Sequence, residues 1–203
     1  TVDTAAPTAP AITTVLDDVG PVTGALTSGG TTNDSRPTFN GTGEIGATIT
    51  VLSDGQPLGT AVVNAQGNWT FTPTDPLPEG PHTLTFSATD AAGNVSPTAT
   101  TFDLTVDTLA PPAPAIVNAT DNVGTQLTPV TSGQSTDDTT PTLNGTAAAN
   151  ATITLYENGS PVGTAAADIN GNWSFTPPAL SNGSHSWTAT ATDAAGNVSP
   201  ASP

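Results

Sequence analysis

Cysteine, methionine and lysine are absent from this 203-residue chain, and Arg36 is its one Lys/Arg residue. Each absence removes a class of chemistry. Without cysteine there are no disulfides and no thiolate nucleophile or metal ligand, so the fold rests on burial and hydrogen bonding. One basic residue against 17 Asp+Glu gives a formal net charge of -16. That excludes ordinary nucleic-acid binding, which needs Lys and Arg to neutralise phosphates, and it disfavours anionic membrane surfaces. Aromatic residues make up only 4% of the chain. No stretch approaches the roughly 20 apolar residues of a membrane span, so this segment is not expected to insert into a membrane. What the charge does favour is a cationic partner, and Ca²⁺ is the hard cation suited to oxygen ligands.

What is present is said nearly twice. Val2-Asp3-Thr4-Ala5-Ala6-Pro7 returns as Val106-Asp107-Thr108-Leu109-Ala110-Pro111, an offset of 104 residues. Gly67-Asn68-Trp69-Thr70-Phe71 returns as Gly171-Asn172-Trp173-Ser174-Phe175 at the same offset. Asp90-Ala91-Ala92-Gly93-Asn94-Val95-Ser96-Pro97 returns as Asp193-Ala194-Ala195-Gly196-Asn197-Val198-Ser199-Pro200 at 103. Such a period is too long for a solenoid coil and fits a whole small domain. Two repeats are expected, over 1–106 and 107–203, as part of a tandem array. The second repeat stops at Pro203, before the counterpart of Thr101–Val106, so either the parent chain continues or the second repeat has a truncated edge.

The 20 Gly and 20 Pro residues, with abundant Thr, Ala and Val, argue for short strands and tight turns. Thr48-Ile49-Thr50-Val51-Leu52 alternates and leads into Asp54-Gly55, a hairpin turn; Asn158-Gly159 follows the equivalent run in the second copy. Strands are expected over 10–16, 36–42, 47–53, 57–63, 68–72, 82–89 and 98–106. That number of turn-punctuated strands reads as an immunoglobulin-like sandwich. The expected fold is therefore all-β: two tandem immunoglobulin-like β-sandwiches arranged end to end. The Pro-rich joint from Asp107 to Pro112 predicts a semi-rigid connection and an extended rod.

The combination of Val2-Asp3-Thr4 with Ala6-Pro7, Asp17-Asp18-Val19-Gly20, Thr32-Asn33-Asp34-Ser35-Arg36-Pro37, Gly67-Asn68-Trp69 and the Asp90–Pro97 run, in both copies, resembles the bacterial Ig-like repeats of giant type I-secreted adhesins. These are the biofilm-associated and RTX-type surface proteins. The resemblance implies an extender region, a rod holding a terminal binding domain away from the cell, stiffened by Ca²⁺ near domain junctions.

Topology sharpens the metal expectation. Asp17, Asp18 and Asp34 flank the long segment after the first strand and are expected near Asp103 and Asp107 at one pole of the first repeat. Asp107, Asp168, Asn170 and Asp193 are expected at the facing pole of the second. Ca²⁺ takes 6–8 oxygens, and carboxylates gathered without lysine would otherwise repel. The predicted ligand set is Asp3, Asp17, Asp34, Asp90, Asp103, Asp107, Asp121, Asp138 and Asp193. The competing role for each is an Asx turn, which needs no metal; for Asp54 that role is preferred.

No catalytic centre is expected. Ser and Asp are so abundant that a chance Ser-His-Asp grouping carries nothing, and His82 and His185, one per repeat, do not make a zinc site. Trp69, Trp173 and Trp187 are expected to fill the cores rather than stack on sugars. The function expected is a non-enzymatic stalk module, monomeric, partnered by neighbouring repeats of its own chain at the bacterial surface. The alternatives are a glycan- or host-protein-binding module, or an accessory module of a secreted polysaccharide-degrading enzyme.

Overall fold

The structure, a computed structural model, describes residues 2–97, 99–124 and 129–203. Among those residues there is no helix, hence none long and apolar enough to cross a membrane. Two compact units divide the chain, Thr1–Thr108 and Leu109–Pro203. The boundary falls two residues beyond Val106 because Asp107 and Thr108 are still tied to the first unit. The Asp107 N–H donates to the Thr32 carbonyl, and the Thr108 N–H donates to the Glu79 carboxylate.

Among the described residues the first unit has nine strands: β1 (Ala11–Asp17), β2 (Gly24–Leu26), β3 (Gly30–Thr32), β4 (Thr38–Thr42), β5 (Thr48–Ser53), β6 (Gln56–Val62), β7 (Asn68–Phe71), β8 (Gly80–Thr89) and β9 (Thr100–Val106). One sheet has the order β2-β1-β4-β7 and the other β3-β9-β8-β5-β6. Seven of these strands are the expected ones; Thr98, expected to open the last, lies outside the described residues. The additions, β2 and β3, lie in the segment read from sequence as a loop. Each is three residues long, too short for alternation to register. Neighbours define them: β2 pairs antiparallel with β1, and β3 pairs parallel with β9. The chain thus changes sheets between β1 and β3, which brings residues 32–36 to the end of the sandwich where β1 finishes.

The inward positions of the alternating strands form one core around Phe39, Ile49, Val51, Leu84 and Phe86, all fully buried. Trp69 lies inside it, 2% exposed, with its indole N–H donating to the Thr42 carbonyl at 3.1 Å. Its ring stacks on Phe86 at a centroid separation of 5.6 Å. The ring fits because Gly41 lies opposite: a Cβ there would sit 2.1 Å from the Ala11 carbonyl oxygen and 2.3 Å from Trp69 Cζ2. The β5–β6 turn has positive φ at Asp54 (51°) and Gly55 (79°), as a two-residue hairpin turn requires.

The second unit repeats this plan with β10 (Ala115–Thr120), β11 (Pro129–Val130), β12 (Thr142–Thr146), β13 (Thr152–Glu157), β14 (Ser160–Ala166), β15 (Asn172–Phe175) and β16 (Trp187–Thr192). Its sheets are β11-β10-β12-β15 and β14-β13-β16. Registers match: Gly145 faces Trp173 as Gly41 faces Trp69. The core is less aromatic, since Leu143 replaces Phe39 and Ala189 replaces Phe86, and Trp187 packs partly buried against it. Among the described residues the buried Trp173 Nε1 meets no acceptor, whereas Trp69 Nε1 has the Thr42 carbonyl. Beside β16, the Ser202 N–H donates to the Ala189 carbonyl, and the Ala189 N–H donates to the Ser202 hydroxyl.

Candidate functional site

One constellation recurs at an end of each unit: two buried aspartates joined through a threonine hydroxyl. In the first unit Asp17 ends β1 and Thr32 ends β3, with Asp34 two residues on; they are 6%, 0% and 3% exposed. The Thr32 hydroxyl donates to Asp17 Oδ2 at 2.6 Å and accepts the Asp34 N–H at 3.0 Å. The other carboxylate oxygens hold the chain on either side. Asp17 Oδ1 accepts the Val19 N–H (2.8 Å), and Asp34 Oδ1 accepts the Arg36 N–H (2.7 Å). Asp34 Oδ2 reaches the Asp18 N–H at 3.5 Å, a marginal contact that leaves this oxygen the least satisfied of the four.

The second unit copies the arrangement atom for atom. The Thr136 hydroxyl donates to Asp121 Oδ2 (2.7 Å) and accepts the Asp138 N–H (3.0 Å). Asp121 Oδ1 takes the Val123 N–H, Asp138 Oδ1 the Thr140 N–H, and Asp138 Oδ2 the Asn122 N–H. Both aspartates are 4% exposed. Sequence reading named the four aspartates and missed Thr32 and Thr136. The signal available was a Thr two positions before Asp34 and before Asp138, repeated at the same offset of 104 as its surroundings.

Burial raises the Asp34 carboxyl above its ordinary value. The Arg36 and Asp18 N–H groups pull the other way, while the charges of Asp17 and Asp18 add to the rise. A pair of buried acids with neighbouring like charge and no lysine in the chain is a place where a cation is electrostatically favoured. The outgoing chain adjoins it, since Thr32 also accepts the Asp107 N–H, at 2.9 Å.

The remaining predicted ligands are distributed differently. Asp90 and Asp193 each close a turn on themselves. Asp90 Oδ1 accepts the Ala92 and Asn94 N–H groups, and Oδ2 accepts the Asn94 amide; Asp193 does the same with Ala195 and Asn197. Asn94, through its side-chain amide first, holds the Asp90 carboxyl below the usual carboxylate range. Asp168 is spent likewise on the Asn170 and Asn172 N–H groups and is also lowered, the Asn172 N–H acting most. Asp3 accepts the Ala5 N–H, and its carbonyl takes the Asn94 amide, which places it beside the Asp90 turn. Asp103 lies along β9 rather than at the clasp, bonded to the Thr83 hydroxyl and, through its N–H, to Ser28. Three His, Cys, Asp or Glu side chains converge nowhere among the described residues as a metal cage. The clasp's donor chemistry suits Ca²⁺, yet two carboxylates offer only about four of the 6–8 oxygens that ion takes. Backbone carbonyls and water would have to complete the shell.

This fold and the doubled clasp define a tandem immunoglobulin-like β-sandwich protein. Its residues 8–108 and 128–203 match the family described as Bacterial Ig-like domain, and the chain belongs to that family. No curated protein matches it. Solved structures similar to it include the tetra-tandem repeat in the extending region of a large adhesion protein. That match has 23% identity and a TM-score of 0.34, over 89% of this chain and 50% of that one. A 1.5-MDa bacterial ice-binding adhesin is 24% identical with a TM-score of 0.41, over 96% and 62% of the two chains. The BSP domain of a biofilm-associated protein is 21% identical with a TM-score of 0.34, over 85% and 27%. The chain thus spans between about a quarter and three-fifths of these proteins' resolved lengths.

Proposed function

We propose that this chain is an extender segment of a large bacterial surface adhesin, a non-enzymatic stalk that carries a distal binding domain away from the cell. Its parent would be exported by type I secretion and act in adhesion or biofilm formation. The observation that carries the reading is the repetition itself. Both units present the same clasp, the same glycine-seated tryptophan and the same Asx turns, so the features that stand out most among the described residues are shared by the two copies. A stalk requires identical units in series.

Ca²⁺ enters this reading at the clasp. Asp17 and Asp34 in the first unit, and Asp121 and Asp138 in the second, would supply carboxylate oxygens. Binding would neutralise the repulsion between them and tighten β3, the strand whose carbonyl holds Asp107. The ion's part is charge neutralisation and bracing. An ion bound only by the folded state stabilises by about 2.7 kcal/mol at a hundredfold excess over Kd. Calorimetric unfolding in millimolar Ca²⁺ and in EDTA is the test. A higher Tm in Ca²⁺ is expected for the unaltered chain and no gain for Asp17→Asn/Asp34→Asn in the first transition; superimposed traces for the unaltered chain would remove the metal from the reading.

The glycan-binding alternative has one observation in its favour, an open groove of about 500 Å³ on the second unit lined by Asn118, Asn144, Asn172, Ser174 and Trp173. Stacking is the usual aromatic contribution to sugar binding, but Trp173 is only 3% exposed. Its ring is engaged in the core, and the extender reading is preferred.

A further inference from the structure

His82 and His185 occupy equivalent places, just before or at the start of the strand that follows the long loop after β7 and β15. In the second unit His185 bridges two elements. Its Nε2 donates to the Ser181 carbonyl at 2.9 Å, and its Nδ1 meets Glu157 Oε1 at 2.5 Å. Both partners are pure acceptors when the carboxylate is ionised. Both ring nitrogens must therefore carry a proton for both contacts to be hydrogen bonds, and only the imidazolium does so. A neutral ring would either turn a lone pair toward Glu157 or give up the Ser181 carbonyl.

The first unit keeps the pairing by different residues. His82 is 7% exposed; its Nε2 donates to the Pro78 carbonyl at 2.8 Å and its Nδ1 meets Asp54 Oδ2 at 3.0 Å. Asp54 aligns with Asn158, and Ser53 aligns with Glu157. The carboxylate has moved by one residue along an otherwise identical hairpin, and in both units it reaches the same ring nitrogen. Asn158 meanwhile keeps the other task of Asp54, accepting an N–H from the facing strand: Ser186 in place of Thr83. The units differ in one consequence. The Ser53 hydroxyl also lies 3.1 Å from His82 Nδ1, a second partner beside Asp54. Among the described residues His185 has no such hydroxyl on its Nδ1.

We propose that His185 and Glu157 form a proton-operated latch in the second repeat. Closed, with both ring protons in place, it ties the 176–186 loop to the β13–β14 hairpin; loss of the Nδ1 proton opens it. The surroundings are simple. The loop over 176–186 and strand β16 carry no acid or base other than His185, and the hairpin side presents Glu157 as the facing charge. Around His82 the facing carboxylate is Asp54; Asp103 on β9 is engaged by Thr83, and Glu79 in the loop by Thr108. In keeping with this geometry, the Ser181 carbonyl first, and Glu157 second, raise His185 above its ordinary 6.5. The sign follows: the latch contributes its full stability below about pH 6.5 and loses it as pH rises through the folded-state value.

The test is a pH titration of the two imidazoles by ¹H–¹⁵N NMR on the whole chain, which has only these two histidines. Both ring protons of His185 are expected to persist above pH 6.5. Glu157→Ser installs the first unit's residue and is expected to lower the midpoint by about half a pH unit or more. Glu157→Ser/Asn158→Asp restores a carboxylate one position along, as in the first unit, and is expected to raise the midpoint again. A His185 midpoint at or below 6.5 in the unaltered chain overturns the latch. So does a midpoint indifferent to Glu157→Ser. A double variant that stays low overturns the equivalence of the two hairpins on which the inference stands.

Discussion

Gly41→Ala and Gly145→Ala test the core architecture of each repeat with one added methyl. At Gly41 that methyl would lie 2.1 Å from the Ala11 carbonyl oxygen and 2.3 Å from Trp69 Cζ2; at Gly145 the distances are 2.1 Å to Ala115 and 2.2 Å to Trp173. Ordinary contact is about 3.5–4.0 Å, so something must retreat by more than an ångström. The carbonyl belongs to β1, hydrogen-bonded to β4 at this very point, with Ile12 opposite Gly41. The indole stacks against fully buried Phe86 and is itself 2% exposed. Neither neighbour is the free end of a flexible side chain. Overpacking costs about 1–3 kcal/mol where side chains can adjust; with a backbone atom on one side and a seated ring on the other, about 3 kcal/mol is the expected lower end. For a domain of this size that corresponds to a fall of roughly 12–24 °C in Tm. Scanning calorimetry of the full chain reads it directly, with Gly41→Ala depressing the transition of the first unit and Gly145→Ala that of the second. A shift below about 4 °C for either variant would refute the idea that these glycines exist to seat the tryptophans.

Other consequences are as direct. Trp69→Ala should cost on the order of 3–5 kcal/mol, measured by denaturant unfolding of the first unit; a variant that keeps its stability and loses affinity for a glycan would overturn both the core role and the stalk reading. Because burial raises the Asp34 carboxyl in the folded state, its contribution is favourable below its ordinary value of 3.8 and is lost as pH rises through the folded-state value. Metal-free first-unit stability, compared between the unaltered chain and Asp34→Asn, should therefore diverge in favour of the variant as pH rises from about 3 to 6; parallel profiles would contradict a raised carboxyl. Asp90→Ala removes three local hydrogen bonds and should lower the Tm read by calorimetry in EDTA as much as in Ca²⁺. A loss confined to Ca²⁺ would instead make Asp90 a ligand.

The repeat, the strand type, the hairpin turns and the tryptophan cores were all legible in the sequence, because each is a local property: period-two alternation at Thr48–Leu52, positive-φ residues at Asp54-Gly55, one large ring per unit among small residues. The aspartates were legible as candidates for the same reason. Their division into two kinds was not. Asp90 and Asp193 spend their oxygens on N–H groups two and four residues ahead, a local outcome that the Asx-turn reading allowed. Asp17 and Asp34, 17 residues apart in sequence, meet only because β3 crosses to pair in parallel with β9, a strand more than 70 residues away. The hydroxyl joining them, Thr32, is one Thr among many until that pairing buries it. The same holds for His185, whose partner lies 28 residues back on a hairpin. The sequence by itself determined the units and their strands, since backbone geometry and burial pattern are written along the chain. Which carboxylates share a buried site, and which imidazole faces one, was decided by strand pairing in three dimensions, because Coulomb and hydrogen-bond energies depend on separation in space.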